Sequence, residues 1–195
     1  PIYTNMSPVM SKFLWDAPEE KVDPQKAKQI LEEKKLLPME FTLKVPNSSK
    51  IYLDTAQSIR EQLKEIGITV NLEVIEWATW LSDVYTNRKY VASLAGLAGK
   101  MEPDAILRRY TSTYAKNFTN FNNAKYDALI EEAKRTSNEA KQIENYKEAQ
   151  KILSEEQAAI FLMDPNTVIA TEKGIEGFEF YPLPYLNFAK LYFKK

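Results

Sequence analysis

Cysteine and histidine are both absent from the 195 residues. That removes thiol nucleophiles, imidazole bases, His triads and zinc sites of the ordinary Cys/His type. Any catalysis would have to run on Asp, Glu, Lys, Ser or Tyr. Without cysteine there is no disulfide, and the redox compartment is not inferable. Glycine is scarce, at five residues, and no G-x-G-x-x-G or Walker pattern occurs, which argues against a phosphate-cradling loop. There is no charge excess either. Twenty-six basic and 27 acidic side chains leave a net charge of −1, whereas a nucleic-acid partner would call for a basic surplus. No apolar run approaches the ~20 residues of a membrane helix; Ala158–Met163 is short and reads as an ordinary buried run. No signal-peptide pattern is present, and the chain starts at Pro1 without an initiator Met. A processed protein or a piece of a longer one is expected from that.

What is present is ordinary for a globular protein: 44% hydrophobic and 27% charged residues. The length suits one large or two small domains, enough to bury roughly 70% of the unfolded surface. Residues 1–22 carry Tyr3, Phe13 and Trp15 between prolines, too aromatic for a flexible linker, and read as an ordered extended segment. Asp23-Pro24 opens a helix, with Asp as N-cap and Pro at the first helical position, ending near Lys35. Phe41–Val45 alternates and reads as a strand. Lys50–Ile66 is a helix with Leu53, Ala56, Ile59, Leu63 and Ile66 on one face, closed by Gly67. A strand over Thr69–Trp77, a short helix over Thr79–Tyr85 and a nearly all-apolar, central-type strand over Tyr90–Leu97 follow. The alternation implies βαβ units. A short helix is expected over Ala105–Tyr110, then two more at 124–136 and 138–156. Asn122 serves as N-cap of the first, with Tyr126, Leu129, Ile130 and Ala133 on its apolar face. Ala158–Met163, Val168–Thr171 and Phe188–Phe193 read as strands.

The best candidate for a binding edge is Gly96-Leu97-Ala98-Gly99-Lys100-Met101-Glu102-Pro103-Asp104, because open α/β sheets place ligands beyond the carboxyl ends of their strands. Lys100 has two readings: a cation selecting a carboxylate or phosphate, or a solvated loop residue. Trp77 and Trp80 either form an aromatic wall suited to stacking or pack between helix and sheet. Asp127 reads as an early-helix dipole partner, and Asn117, Asn120, Asn122 and Asn123 as turn and cap residues. The adjacent acids Glu131/Glu132 and Glu155/Glu156 point different ways on a helix and read as solvated surface, not catalytic pairs. No catalytic or metal-binding residue is assigned, and no cofactor is expected.

Phe121-Asn122-Asn123-Ala124-Lys125-Tyr126-Asp127-Ala128-Leu129-Ile130, read with Tyr146-Lys147-Glu148-Ala149-Gln150-Lys151-Ile152-Leu153, resembles the C-terminal lobe of the family 5 solute-binding proteins of peptide and nickel ABC importers. Further stretches match in order. Asp23-Pro24-Gln25-Lys26-Ala27-Lys28-Gln29-Ile30-Leu31 is similar to the family's Asp-Pro-x-Lys-Ala-Lys-x-Leu-Leu helix. Ala56-Gln57-Ser58-Ile59-Arg60-Glu61-Gln62-Leu63-Lys64-Glu65-Ile66-Gly67-Ile68 is similar to its x-Ile-x-x-x-Leu-x-x-Ile-Gly-Ile helix. Glu76-Trp77-Ala78-Thr79-Trp80-Leu81 resembles its x-Trp-x-x-Tyr/Phe-Leu turn, and Ile175-Glu176-Gly177-Phe178 its Val-x-Gly-Phe. The 96–104 segment looks like Gly-Trp-x-Gly-Arg-x-Asp-Pro-Asp, with Leu97 for Trp, Lys100 for Arg and Glu102 for Asp.

The resemblance implies an α/β fold with α+β character: a mixed sheet flanked by helices, a periplasmic-binding-protein-like lobe. It implies a non-enzymatic receptor that captures a small solute, most readily a peptide, for import; the alternative is a protein-interaction or sensory module that reuses the solute-binding lobe. The implied partners are that ligand, the N-terminal lobe of the same parent chain and the permease subunits of an ABC transporter, with no nucleic acid. The implied location is extracytoplasmic, periplasmic or as a cell-surface lipoprotein. Residues 1–22 would enter from the other lobe, 23–175 would form the C-terminal ligand-binding lobe, and 176–195 a final strand segment. The implied ligand-binding residues are Gly96, Leu97, Ala98, Gly99, Lys100, Glu102, Asp104, Trp77 and Trp80. In peptide receptors of this kind an Asp in the loop pairs with the peptide amino terminus; Gly99 or Lys100 stands there in this chain.

Overall fold

The computed structural model of the chain describes residues 2–19, 21–166, 168–181 and 186–194. In chain order the elements are α1 (Pro24–Glu33), β1 (Met39–Pro46), α2 (Lys50–Glu65), β2 (Ile68–Ile75), α3 (Trp77–Trp80), β3 (Ala92–Ser93), α4 (Pro103–Leu107), α5 (Ala124–Arg135), α6 (Glu139–Glu155), β4 (Ile175–Glu176) and β5 (Tyr192–Phe193). A π-helical turn over Leu81–Thr86 continues α3, and 3-10 turns cover Pro8–Met10, Arg108–Tyr110 and Phe188–Lys190. Pro1 and Glu20 of the expected entry segment, and residues 182–185 and 195 of the expected final segment, lie outside the described residues. The elements sort into two compact units: a sheet unit, Pro18–Ala98 with Thr113–Asn120, and a helical unit, Pro1–Ala17 with Gly99–Ser112 and Phe121–Lys195.

The sheet unit is parallel α/β. Its strand order is β2-β1-β3, so β1 is central. β1 pairs with β2 in register from Met39↔Ile68 to Pro46↔Ile75, and with β3 through Leu43↔Ala92 and Lys44↔Ser93. Asp23 caps α1 by accepting from the Lys26 N–H at 2.9 Å, with Pro24 at the first helical position. α2 lays Ala56, fully buried, with Leu53, Ile59, Leu63 and Ile66 against Leu43, Val45, Ile68 and Val70. This is the face that the apolar spacing marks out. Gly67 ends it at φ +90°, a conformation that a side chain would strain. The stretch Tyr90–Leu97 departs from expectation. Its ladder is confined to β3 and the Leu94 N–H to Lys44 carbonyl bond, and it is an edge, not the centre. Val91 is 79% exposed. Apolar composition marks β propensity, but the position in the sheet is set by which partner the strand finds.

The helical unit is built on α5 and α6. Tyr126, Ile130 and Ala133 of α5 pack with Tyr146, Ala149, Ile152 and Leu153 of α6, and Met6, Leu107 and Tyr110 complete the core. Each large side chain fully buried in this way contributes about 1.5–3 kcal/mol. The α5 cap is Asn123 rather than Asn122: its Oδ1 accepts from the Tyr126 N–H at 2.8 Å. A cap oxygen reaches the N–H two or three residues on, so one position decides whether the bond forms. Asn138 caps α6 through the Lys141 N–H.

Three expected strands are not formed as such. Ala158–Met163 and Val168–Thr171 carry no ladder, and Ile160 and Val168 are 78% and 90% exposed. Strand propensity expresses the fit of a side chain to a pleated surface; Ala158, Ala159 and Phe161 pack instead on the helical core, and no ladder partner is found among the described residues. Phe188–Phe193 is a 3-10 turn followed by β5, because the Asn187 Oδ1 takes the Ala189 N–H and curls the start of the segment. β5 pairs antiparallel with β4.

Candidate functional site

Trp77 and Trp80 lie three residues apart on α3, so their rings share one helix face. They stack at 4.9 Å between centroids with 3° between planes. Trp80 is buried. Its indole N–H donates to the Ser93 Oγ at 2.9 Å, and that hydroxyl donates to the Lys44 carbonyl at 2.9 Å. Phe118 meets Trp80 edge-on at 5.7 Å, and Tyr85 lies 6.1 Å away on the stack. Trp77 is 39% exposed and is the outer member of the stack. Both readings of the pair therefore have a physical counterpart: Trp80 is core, and Trp77 offers an indole face to solvent. At its side Glu76 accepts from the Asn47 side-chain amide at 2.6 Å.

Residues 96–98 leave β3 in the sheet unit, and 99–104 begin the return into the helical unit. Residues 96–102 are all exposed. A Cβ on Gly96 would fall 2.7 Å from the Tyr52 hydroxyl, so a side chain there would displace the end of the Tyr52 ring. Nothing lies within 4 Å of a Cβ on Gly99. Leu97 and Met101 are exposed apolar side chains, and Ala98 lies between Leu97 and Gly99 on the same exposed run. Lys100 has no ion-pair partner among the described residues. Glu102 precedes α4 without capping it. Asp104 turns towards its own helix: one carboxylate oxygen lies 3.5 Å from an Arg108 Nη1, and the other is buried without a hydrogen-bond partner.

Several of the other polar residues singled out by the sequence are occupied. Asp127 accepts from the Ser112 N–H at 3.0 Å and from the Ser112 hydroxyl. Glu131 pairs with Lys134 at 2.9 Å, and the hydrogen bond from that ammonium holds its carboxyl below the usual range. Glu155 faces Lys151 at 3.8 Å, and Glu156 accepts from the Asn123 amide. A solvent-open hollow lined by Asp54, Gln57, Ser58, Arg60, Glu61 and Gln62 is the charged outer face of α2. Among the described residues no group of three or more His, Cys, Asp or Glu is placed to hold a metal, and no helix is long and apolar enough to cross a membrane.

Sequence reasoning passed over Arg88 and Tyr90. Arg88 sits at φ +54° and donates from Nε and Nη2 to the Asn117 carbonyl at 3.3 and 3.1 Å, and from Nη2 to the Ala115 carbonyl at 3.3 Å. The Tyr90 hydroxyl donates to the Phe118 carbonyl. Burial pushes the Tyr90 pKa up against the opposing charge of Arg88. Neither residue belongs to a recognisable spacing, so no sequence signal pointed to them.

The family model for bacterial extracellular solute-binding proteins, family 5 Middle, matches residues 1–118. Among curated proteins, the oligopeptide-binding protein AppA of Bacillus subtilis is 28% identical over 183 residues, covering 86% of this chain and 34% of the relative. The peptide transport periplasmic protein SapA of Haemophilus influenzae is 27% identical, covering 98% and 37%. Among solved structures, the periplasmic binding protein DppA from Helicobacter pylori in complex with peptide STSA superposes with a TM-score of 0.83 at 21% identity, covering all of this chain and 39% of that one. AppA from Bacillus subtilis in complex with a nonapeptide gives 0.80 at 27% identity, covering 100% and 42%. The chain thus spans roughly a third of the length of the curated relatives it matches.

Proposed function

The chain belongs to the bacterial extracellular solute-binding proteins of family 5, and on that footing we propose that it is a peptide-capturing lobe of an ABC-importer receptor. The observation that carries this is the family match over 1–118 together with relatives named for peptide binding or peptide transport. In this reading the protein is a binder and not an enzyme. It works outside the cytoplasmic membrane, and it delivers its ligand to permease subunits. The ligand-contacting residues are Gly96, Leu97, Ala98, Gly99, Lys100, Glu102 and Asp104 along the loop, and Trp77 through its exposed face, with Trp80 behind it. Their support is the solvent exposure of 96–102 and the free indole face. The remaining lobe of a longer parent chain is the second partner. The exposed Ile160, Val168, Phe180, Phe188 and Phe193 are apolar surface that such a partner would cover. Closure of two lobes around a peptide then stores binding energy in the closed state.

The test is isothermal titration of the parent polypeptide with a set of dipeptides to nonapeptides that includes Ser-Thr-Ser-Ala. Binding with a melting temperature that rises with peptide concentration is expected, by about 2.7 kcal/mol of stabilisation at a hundredfold excess over Kd. The absence of both effects across the whole set overturns the reading, as does hydrolysis of the bound peptide.

A further inference from the structure

We infer that Arg88 and Tyr90 are positioning residues of the aromatic wall: together they hold the 115–118 segment so that Phe118 locks Trp80 and Trp80 sets the plane of Trp77. The inference deepens the proposed function, since it rests on Trp77 facing the ligand.

The contacts form one continuous series within the sheet unit. Arg88 spans two successive odd-numbered carbonyls, Ala115 and Asn117, with its guanidinium fork, and Tyr90 takes the next carbonyl, Phe118. Three side-chain anchors on four residues leave the main chain of 115–118 little freedom. The segment is also knotted from within: the Asn117 N–H bonds the Tyr114 carbonyl at 2.9 Å, and the Thr119 hydroxyl bonds the Asn117 Oδ1 at 2.8 Å. The ring it presents, Phe118, lies 5.7 Å from Trp80 at 78° and 5.4 Å from Tyr85 at 49°. These separations are those at which aromatic edges and faces attract. Trp80 is pinned on its other side by Ser93. Among the described residues Trp77 stacks on Trp80 alone, so whatever tilts Trp80 tilts the exposed indole.

The backbone at Arg88, at φ +54°, closes the preceding helical turn: the Lys89 N–H bonds the Asp83 carbonyl at 2.7 Å, the same left-handed ending found at Lys35 after α1 and at Gln157 after α6. What singles Arg88 out is its guanidinium fork on the Ala115 and Asn117 carbonyls. Lysine would not replace it, since an ammonium lacks the planar fork that reaches both carbonyls.

The chain holds three tryptophans, Trp15, Trp77 and Trp80, so its indole N–H resonances are assignable by single Trp→Phe variants. The variants to test are Arg88→Gly, which removes the fork while relieving the backbone, and Tyr90→Phe, which removes one hydroxyl. In both, the Trp77 and Trp80 indole resonances should shift, and solvent exchange of the Trp80 indole N–H should rise about tenfold, the effect of losing one net hydrogen bond from a local opening. Trp15 and the amides of Leu43 and Val45 should stay as in the wild type. Unmoved Trp77 and Trp80 resonances in both variants overturn the inference. So does an equal rise at Leu43 and Val45, which would mark general loosening. Titration with the peptide Ala-Phe-Ala separates the two levels. If the variants behave as expected but the peptide leaves the wild-type Trp77 resonance unmoved, the positioning role stands and the ligand-facing role of Trp77 falls.

Discussion

Gln150 is fully buried with both ends of its amide engaged. Its Oε1 accepts from the Thr4 hydroxyl at 3.1 Å and the Trp15 N–H at 3.2 Å, and its Nε2 donates to the Phe13 and Tyr146 carbonyls at 2.8 and 2.9 Å. One side chain on α6 thus satisfies the polar groups of a segment more than a hundred residues away in sequence. Gln150→Leu keeps the volume but strands those partners without water, and should lower stability by about 2–4 kcal/mol, read as a shift of the urea midpoint. Nothing in the sequence marked Gln150, because a glutamine on a helix is ordinarily solvated and its partners are distant. Lys100 is the opposite case, visible in the sequence and uncommitted in the structure. If it selects a carboxylate of the ligand, Lys100→Gln in the parent polypeptide should weaken binding of a free-acid peptide by ~1–3 kcal/mol and narrow its preference over the amide. Equal affinities of wild type and variant by isothermal titration would make Lys100 a solvated loop residue.

Among the elements, α5 and the β4–β5 pair illustrate what a single position decides. Asn123 caps α5 and also donates to Glu156 at 2.6 Å. Asn123→Ala should cost about 1 kcal/mol. Asn123→Asp should keep the cap but face Glu156 with a like charge, so its deficit should shrink as salt is raised, in denaturation curves at low and high ionic strength. Gly177 lies at φ +84°, and a Cβ there would come 1.9 Å from the Lys190 carbonyl oxygen, which is main chain and cannot turn aside. Gly177→Ala should therefore abolish the β4–β5 pairing while α5 and α6 persist, a loss that amide exchange at Ile175 and Phe193 would register. Amphipathic spacing identified α2, α5 and α6 because a helix repeats its face within a few residues. The strands expected at 158–163 and 168–171 were not identifiable in the same way, since a strand exists only with a partner.

Across the whole molecule, the helical unit gathers three tyrosines that resist ionisation. Burial raises Tyr110 to about 12 against the opposing charge of Arg109. Burial, reinforced by Asp104 and Glu102, raises Tyr146 to about 12, and Tyr126 is held well above its usual value by burial and by the charges of Tyr110, Asp127 and Asp104. The unfolded chain loses these protons near the ordinary value of 10.0. The folded state therefore binds more protons above that pH, and its stability is complete below pH 10 and falls as pH rises towards 12. Alkaline unfolding followed by circular dichroism should begin in that window. Replacing Tyr110 and Tyr146 together by Phe should move its midpoint upward; an unmoved midpoint would assign alkaline unfolding to other groups.

By itself the sequence determined the class of the molecule: the βαβ alternation, the apolar faces of α2, α5 and α6, the family resemblance later matched over residues 1–118, and the exclusion of imidazole and thiol chemistry. Those are properties of composition and of short-range spacing. Only the tertiary structure decided that β1 and not β3 lies at the centre of the sheet, that Trp80 is core while Trp77 is exposed, and that Arg88 and Tyr90 hold a loop nearly thirty residues away. Each of these depends on which distant main-chain groups and rings come within hydrogen-bonding or packing distance, and local propensity carries no information about such pairings.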